Sequence, residues 1–454
     1  MIHKYKQCGL SIVIDVNSGA IHQVDDVVYD ILDYYEDKTP DEIKNLLSDR
    51  YDEKQIQEGL DEIRYLADEG MLFTSDPYKD IVKMENNEES FIKALCLNIS
   101  HDCNLRCKYC FASEGDYKGK RELMSFETGK RAIDFVIKNS GPRHNIEVDL
   151  FGGEPLMNFD VVRQIVDYAN EEGPKHNKNI RFTITTNAML LDEEKMDYID
   201  ENMGNVVLSI DGRKEVNDSI RVRRDGSGSF DKILPSIKAM AERRQGSKQY
   251  YARGTFTRNN LDFYNDVIFL ADQGFKEISI EPVVLENGNP LALRMEDLPV
   301  IFEQYDKLTD EMIRREKEGN GFKFYHFAID INGGPCIYKR ISGCGAGHEY
   351  VAITPNGDIY PCHQFVGNSD FVMGNLYEDK MLDKEISNTF KNGNVYSKPK
   401  CQDCWAKFYC SGGCQANNYN FNKDIHVPYE VGCQMMKKRV ECAIAMKIKL
   451  SEEE

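Results

Sequence analysis

Four cysteines stand at C-x2-C-x5-C-x3-C spacing in CQDCWAKFYCSGGC, residues 401 to 414. Thiolates this crowded hold metal, and two metals answer: zinc in a structural knuckle, or an iron–sulfur cluster in a redox or radical enzyme. Common zinc modules separate two close pairs of ligands by a longer insert, and intervals of five and three fit that arrangement poorly. A second group lies upstream in HDCNLRCKYCF, where Cys103, Cys107 and Cys110 follow C-x3-C-x2-C spacing with Tyr109 just before the last cysteine. A 4Fe-4S cubane needs one terminal ligand on each iron, so three thiolates on one loop leave the fourth iron free for another molecule. A lone three-cysteine pattern is also open to zinc, and its place in the fold decides between the two.

The elements that position these groups are legible in the periodicity. From residue 94 onward short apolar runs alternate with helical patterns: ALCLNIS, EVDLFGG, FTITTNA, NVVLSIDG, ARGTFTR and EISIEPVV. Strands alternating with helices imply parallel pairing, and right-handed crossovers curve six such strands into a barrel or part-barrel with functional loops at the carboxyl ends. Ser125 is a candidate cap of the helix in MSFETGKRAIDFVIKN, and Gly173 a candidate end of DVVRQIVDYANEEG. The first cysteine group follows the first strand directly, on the active-site face of such a barrel. Residues 1–80 open with alternating runs around HKYKQCGL and LSIVIDV, the turn NSG and then IHQV, expected as a hairpin or three-strand ribbon. Three amphipathic helices are expected next: DDVVYDILDYY, TPDEIKNLLSDRY with Thr39 as N-cap and Pro40 at the first helical position, and KQIQEGLDEIRYLADEG closing at Gly70. Residues 75 to 92 read as a linker. From residue 335 the chain becomes glycine- and cysteine-rich with few long periodic segments, a region where metal compensates for a thin apolar core.

Composition narrows the classes. A chain of 454 residues with 41% hydrophobic content reads as a globular protein of two to four domains. A formal charge of -19 with no basic block argues against nucleic acid as a partner, since phosphate binding relies on lysine and arginine. MIHKYKQCGL lacks the apolar run of a signal peptide, and no window offers eighteen uninterrupted apolar residues for a membrane span. The expectation is a cytoplasmic protein with no membrane partner, in which the fourteen cysteines are poor candidates for disulfides and good ones for metal ligands.

In this position the first cysteine group resembles the C-x3-C-x-aromatic-C signature of radical S-adenosylmethionine (SAM) enzymes, and the resemblance covers residues 94–330. It implies an α/β fold, a partial (β/α)6 TIM-type barrel, in which Cys103, Cys107 and Cys110 hold a 4Fe-4S cluster whose free iron chelates the amino and carboxylate groups of SAM. In that family the reduced cluster splits SAM into methionine and a 5'-deoxyadenosyl radical that abstracts hydrogen from substrate. Four further stretches, besides the cluster-loop aromatic Tyr109, match the family's cofactor contacts. FGGEP, with Gly152, Gly153 and Glu154, is similar to the segment whose backbone meets the SAM amino group, where small residues permit close approach. TTN ending at Asn187 and SID, Ser209 to Asp211, leave strands three and four where ribose and carboxylate would lie. Arg221, in NDSIRVRRDGSGSF, matches the arginine that clamps the SAM carboxylate. Their order after successive strands carries the resemblance.

The carboxyl region, reading Cys344-x12-Gly357-x4-Cys362, then Cys401, Cys404, Cys410 and Cys414, then Cys433, resembles the SPASM extension of radical SAM enzymes. That resemblance implies two auxiliary 4Fe-4S clusters, three clusters in all. By the family's interleaving, Cys401, Cys404, Cys410 and Cys433 complete one, while Cys414 joins Cys344 and Cys362 on the other. Eight positions then meet seven cysteines, so either Cys336 is the eighth ligand or one auxiliary iron is open to a substrate thiolate. Cys96, Cys442 and Cys8 read as packing residues. His363 directly follows Cys362 and is a candidate for the substrate side, although a solvated histidine is the ordinary reading.

The amino-terminal module resembles the winged-helix recognition element for ribosomally made peptides, similar to the carrier protein of the quinone-cofactor pathway (PqqD-like), which takes a leader as an added strand on an exposed edge. A structural cap is the plain alternative. The whole chain looks most like the maturases of six-cysteine (SCIFF-type) precursor peptides, which install thioether links. This implies a cysteine-rich precursor bound through its leader and an electron donor such as flavodoxin or ferredoxin. Formylglycine formation by an anaerobic sulfatase maturase, radical carbon–carbon coupling in a peptide, and a zinc-bearing leader-binding adaptor are the alternatives. Sulfatase maturases lack the amino-terminal module and carry an aspartate beside the cluster cysteine where this chain has His363.

Overall fold

The computed structural model describes residues 1–80, 90–286, 288–331, 337–378 and 382–452. Strands β1 (Ile2–Gln7), β2 (Leu10–Asp15) and β3 (Ile21–Val24) form an antiparallel ribbon in that order, Ile2 opposite Asp15 and Ile12 opposite Gln23. Helices α1 (Asp26–Ile31), α2 (Pro40–Leu47) and α3 (Glu53–Asp68) follow. Thr39 caps α2 in a capping box with Glu42, an arrangement worth about 1 kcal/mol. Helix α1 is shorter than its pattern: Asp33, Glu36 and Asp37 follow it, and a longer helix would place these anions at its negative end.

Period-two alternation lets β2 serve two cores. Val13 packs with Val28, Ile31 and Leu60 of α1 and α3, while Ile12 and Ile14 face the terminal helix Glu430–Ser451 at Val440 and Ile444. His3 stacks on Trp405 with ring centroids 3.8 Å apart. Asp76, at the start of the expected linker, accepts from Lys407 Nζ and Tyr396 Oη, both at 2.9 Å. Residues 81–89 of that linker lie outside the described residues.

All six expected barrel strands form, namely β4 (Ala94–Ser100), β6 (Asn145–Gly152), β7 (Asn179–Thr186), β8 (Asn205–Ser209), β10 (Gln249–Phe256) and β11 (Glu277–Pro282), each parallel to its neighbour. Helices α4 (Phe126–Asn139), α5 (Phe159–Lys175), α6 (Glu193–Asn202), α7 (Lys214–Ile220), α8 (Phe230–Arg244) and α9 (Phe263–Asp272) lie between them. Ser125 caps α4 as expected, accepting from the Thr128 N–H at 3.1 Å. Helix α5 runs on through Pro174 to Lys175, and Gly173 O then accepts from Lys178 N–H at 2.9 Å to turn the chain back. Helix α10 (Leu298–Lys317) leads to β12 (Lys323–Phe324). At the other edge β13 (Tyr350–Ile353) pairs parallel with β4, followed by antiparallel β14 (Asp358–Tyr360) and β15 (Gly374–Asn375). The sheet order is β12-β11-β10-β8-β7-β6-β4-β13-β14-β15, an open part-barrel that the cysteine-rich region extends.

Parallel strands covered on both faces read as continuous apolar runs, but β6 alternates. Ile146, Val148 and Leu150 are buried under the helices, while Asp149 and Phe151 line a cavity inside the barrel. Thr183, Thr185, Arg253 and Glu281 join Asp149 in lining it. Among the described residues no helix is long and apolar enough to cross a membrane.

Candidate functional site

Strand β4 delivers the chain into the first cysteine loop. Short β5 (Leu105–Cys107) pairs antiparallel with β9 (Arg221–Arg223), which puts Cys107 opposite Arg221. Arg106 Nη1 donates to Cys103 O at 2.7 Å, and Arg224 Nη2 to the same carbonyl and to Asp102 Oδ1, each at 2.6 Å. The Leu105 N–H and Asn187 Nδ2 approach Cys103 Sγ at 3.4 and 3.5 Å. Burial pushes Cys103 up to about 12 and Cys107 to about 11, and raises Cys110, although the backbone N–H groups of Ala112, Glu114 and Gly115 favour the Cys110 thiolate. These are thiols that hold their protons until a metal displaces them.

The expected cofactor residues divide into two sets. Tyr109, Ser209 and Arg221 line one cavity of about 440 Å³. Gly152, Gly153, Glu154, Asn187 and Asp211 are engaged with the chain itself. A Cβ at Gly152, where φ is +122°, would lie 2.4 Å from Ser100 O, and one at Gly153 would lie 2.2 Å from Asp102 O. The close approach that called for small residues is therefore first of all to the cluster loop, rather than only to a ligand. Buried Glu154 accepts from Thr186 Oγ1 at 2.7 Å, Asn187 N–H at 2.8 Å and Leu156 N–H at 3.1 Å, tying the end of β6 to that of β7. Asn187 Nδ2 donates to Asn104 Oδ1 at 2.7 Å. Asp211 is fully buried, and burial pushes its carboxyl up to about 6. It accepts from Tyr109 Oη at 2.8 and 2.9 Å and from Thr255 N–H at 3.1 Å, while Arg221 Nη1 donates to Tyr109 Oη at 2.8 Å. Arg221 Nε is buried without a hydrogen-bond partner among the described residues.

The same cavity is also lined by Cys410, Cys414 and Cys433. A second cavity of about 290 Å³ is lined by Cys401, Cys404, Cys410 and Cys433 together. Burial raises Cys401 to about 11 and Cys433 to about 12, each with the other thiols of this group as neighbours. Burial also raises Cys362 and Cys414, and their sulfur neighbours are each other and Cys344. Cys401, Cys404, Cys410 and Cys433 thus share one cavity, and Cys344 and Cys362 are neighbours of Cys414. Among the described residues no three His, Cys, Asp or Glu side chains close on one metal ion. Cys336 lies outside the described residues.

His363 departs from the solvated reading. Its ring packs against Phe111 and Phe151 on the cavity wall, Tyr350 Oη lies 2.8 Å from its Nδ1, and burial lowers its pKa to about 4. Sequence reasoning missed an ionic quartet, three of whose members line the same cavity. Glu281 lies 3.2 Å from His326 Nε2 and 3.6 Å from Arg253 Nη2. Arg439 Nη1 donates to His326 Nδ1 at 2.8 Å, which leaves the proton of a neutral His326 on Nε2, facing Glu281. Burial opposes ionisation of Glu281, but His326 and Arg253 hold it well below the usual carboxylate range. The available signal was a charged residue in the carboxyl half of two barrel strands, Arg253 in ARGTFTR and Glu281 in EISIEPVV. Cys96 and Cys442 are buried, as expected, and Cys8 sits half-buried at the β1–β2 turn.

A family model described as the radical SAM superfamily matches residues 97–251, and one described as an iron-sulfur cluster-binding domain (SPASM) matches residues 344–405. Over 224 residues the chain is 32% identical to the uncharacterized protein MJ0907 of Methanocaldococcus jannaschii, covering 49% of this chain and 72% of that protein. The chain belongs to the radical SAM superfamily. This radical SAM protein is also 26% identical over 338 residues to a cysteine-type anaerobic sulfatase-maturating enzyme of Clostridium novyi, covering 70% of this chain and 86% of that one. It is 25% identical over 433 residues to the radical SAM cyclopropyl synthase TigE of Paramaledivibacter caminithermalis, covering 87% of this chain and 84% of that enzyme. The fold matches native anSMEcpe with bound AdoMet at TM-score 0.64 and 21% identity over 79% of this chain and 99% of that one. It also matches Streptococcus suis SuiB bound to precursor peptide SuiA at TM-score 0.56 and 19% identity, over 94% and 97%.

Radical SAM membership and the SPASM domain make SAM and iron–sulfur clusters the cofactors, and the residues present fit them. Each cysteine group offers buried thiols, backbone N–H groups already point at Cys103 and Cys110, and Arg221 presents an unused buried donor beside the first group.

Proposed function

We propose that this radical SAM/SPASM enzyme joins cysteine sulfur to a carbon of another residue, a thioether cross-link, within a cysteine-rich precursor peptide of the SCIFF type. The observation that carries this reading is one cavity of about 440 Å³ lined both by Tyr109, Ser209 and Arg221 and by Cys410, Cys414 and Cys433. One chamber then serves both hydrogen abstraction and sulfur binding. Making S–C from S–H and C–H removes a hydrogen atom, a proton and an electron from the peptide. When bound, SAM and its cluster supply the 5'-deoxyadenosyl radical that takes the hydrogen, and the auxiliary clusters supply the electron acceptor and an open iron for sulfur.

In this reading Cys103, Cys107 and Cys110 hold the SAM-binding 4Fe-4S cluster. Cys401, Cys404, Cys410 and Cys433 hold one auxiliary 4Fe-4S cluster, and Cys344, Cys362 and Cys414 hold the other. Tyr109, Ser209 and Arg221 meet SAM, on a wall that Gly152, Gly153, Glu154, Asn187 and Asp211 hold in shape. Residues 1–80 form a leader-recognition module, 94–330 the radical SAM barrel and 335–454 the auxiliary-cluster domain. In the ribbon, β1 lies against the terminal helix through His3 and Glu441 at 2.9 Å, whereas β3 pairs only with β2 among the described residues. The outer edge of β3 is thus the place for an added leader strand. An electron donor such as flavodoxin or ferredoxin and a cytoplasmic setting complete the reading.

The similarity to the Clostridium novyi enzyme favours one other reading, oxidation of a cysteine to formylglycine. Mass spectrometry of a leader-bearing, cysteine-rich peptide after anaerobic incubation with the reconstituted enzyme and SAM tests both. Loss of two hydrogens with one thiol no longer alkylatable is the expected result. Loss of sulfur with a new aldehyde would establish formylglycine, and loss of two hydrogens with every thiol still alkylatable would establish carbon–carbon coupling.

A further inference from the structure

Lys398 is fully buried in the cysteine-rich region, at 0% exposure. A buried ammonium needs negative partners, yet among the described residues it forms no salt bridge. Its Nζ donates to Gly412 O at 2.8 Å. Gly412 is the midpoint of the turn from Cys410 to Cys414, two residues from a member of the four-cysteine group and two from a member of the three-cysteine group. The lysine is packed onto that turn: Gly412 has φ of +79°, and a Cβ there would lie 3.0 Å from Nζ and 3.2 Å from Cδ. Burial lowers the Lys398 pKa, and Cys401, Cys410, Cys414 and Cys433 oppose that shift and favour the ammonium, so its negative partners are the sulfurs of both groups.

We infer that Lys398 is a positioning residue for both auxiliary cysteine groups, a fixed counter-charge on the turn between them that raises the reduction potentials of the clusters they hold. The inference rests on the proposed reading of those groups as cluster ligands. A cluster gains negative charge on reduction, and a buried cation stabilises the reduced form more than the oxidised one. Placed between two clusters, one cation shifts both in the same direction. The cluster of Cys103, Cys107 and Cys110, whose cationic neighbour is Arg221, serves as the internal reference.

The test is an anaerobic redox titration of the holoenzyme followed by electron paramagnetic resonance, with iron content measured first. Lys398→Met keeps the length of the side chain and removes the charge, and it is expected to lower both auxiliary potentials. A tenfold change in the ratio of reduced to oxidised cluster corresponds to 59 mV for a one-electron couple. Lys398→Arg is expected to keep the wild-type values, and the reference cluster stays unmoved throughout. Unmoved auxiliary potentials in fully loaded Lys398→Met overturn the inference, as does an equal shift of all three clusters. If Lys398→Met does not retain its auxiliary iron, Gly412→Ala decides: its methyl group pushes the ammonium off the turn, and unchanged potentials in that variant overturn the inference. A wild-type protein holding only about four irons per chain would refute the cluster reading itself, a result distinct from unmoved potentials.

Discussion

Tyr109→Phe removes one oxygen from the junction of the first cysteine loop, β8 and β9, and its cost can be worked out. The hydroxyl donates to Asp211 at 2.8 Å and accepts from Arg221 at 2.8 Å, both partners being buried. A hydrogen bond to a charged group contributes about 1.5–3 kcal/mol, so the two together amount to roughly 3–6 kcal/mol. The ring stays, so no cavity larger than the missing oxygen opens. Arg221 Nη1 already stands 3.9 Å from Asp211 Oδ1 and can close on it, recovering about half of the loss. The expected net cost is about 2–3 kcal/mol, read as a lowered urea midpoint of the anaerobic protein by circular dichroism. Because that movement draws Arg221 away from the cavity wall, SAM affinity by equilibrium dialysis is expected to fall about tenfold, equivalent to 1.4 kcal/mol. A variant with wild-type midpoint and wild-type SAM affinity would refute the view that this triad holds the loop and aims the arginine.

Gly153→Ala places a methyl group 2.2 Å from Asp102 O, a backbone atom that cannot step aside cheaply, so the cluster loop shifts and iron bound after reconstitution falls relative to wild type. Replacing Cys103, Cys107 or Cys110 with alanine is expected to abolish SAM cleavage, whereas Cys344→Ala leaves cleavage to 5'-deoxyadenosine intact and removes the cross-link; thioether formation surviving that change contradicts the assigned role. Asp149, inside the barrel, is pushed up to about 6 by burial and by the Glu147 charge. A raised carboxylate pKa means that the ionised form is penalised in the folded state: the penalty is absent below the unfolded value near 4, grows between pH 4 and 6 and is complete above it. Asp149→Asn is therefore expected to stabilise the protein at pH 7.5 by on the order of 1–2 kcal/mol after allowance for cavity solvent, with a smaller gain at pH 5.5, in urea titrations at the two pH values.

Much of the site's framework was legible. The six barrel strands announce themselves because a parallel strand must be apolar on its helix-covered face, and Ser125 and Thr39 announce helix starts because an orphan N–H needs a nearby oxygen. The cysteine loops are legible for the same reason, since ligands to one cluster that come from one loop must be close in sequence. His363 was not legible: residue type and neighbours leave its exposure open, and only the packing of Phe111 and Phe151 turns it toward the cavity. Nor was the quartet of Arg253, Glu281, His326 and Arg439, whose members come from β10, β11, the turn after β12 and the terminal helix.

What the amino-acid sequence determined by itself is what depends on neighbours a few residues apart: strand and helix periods, caps, the spacing of thiols. Tertiary structure decided which partner each group meets. It brought Cys344 and Cys362 to Cys414 from far along the chain, spent Asp211 on Tyr109, and sealed Lys398 against the turn between two cysteine groups. Burial and long-range pairing arise only when the sheet brings distant segments together, and those two quantities set the charge, protonation and reach of every group in the cavity.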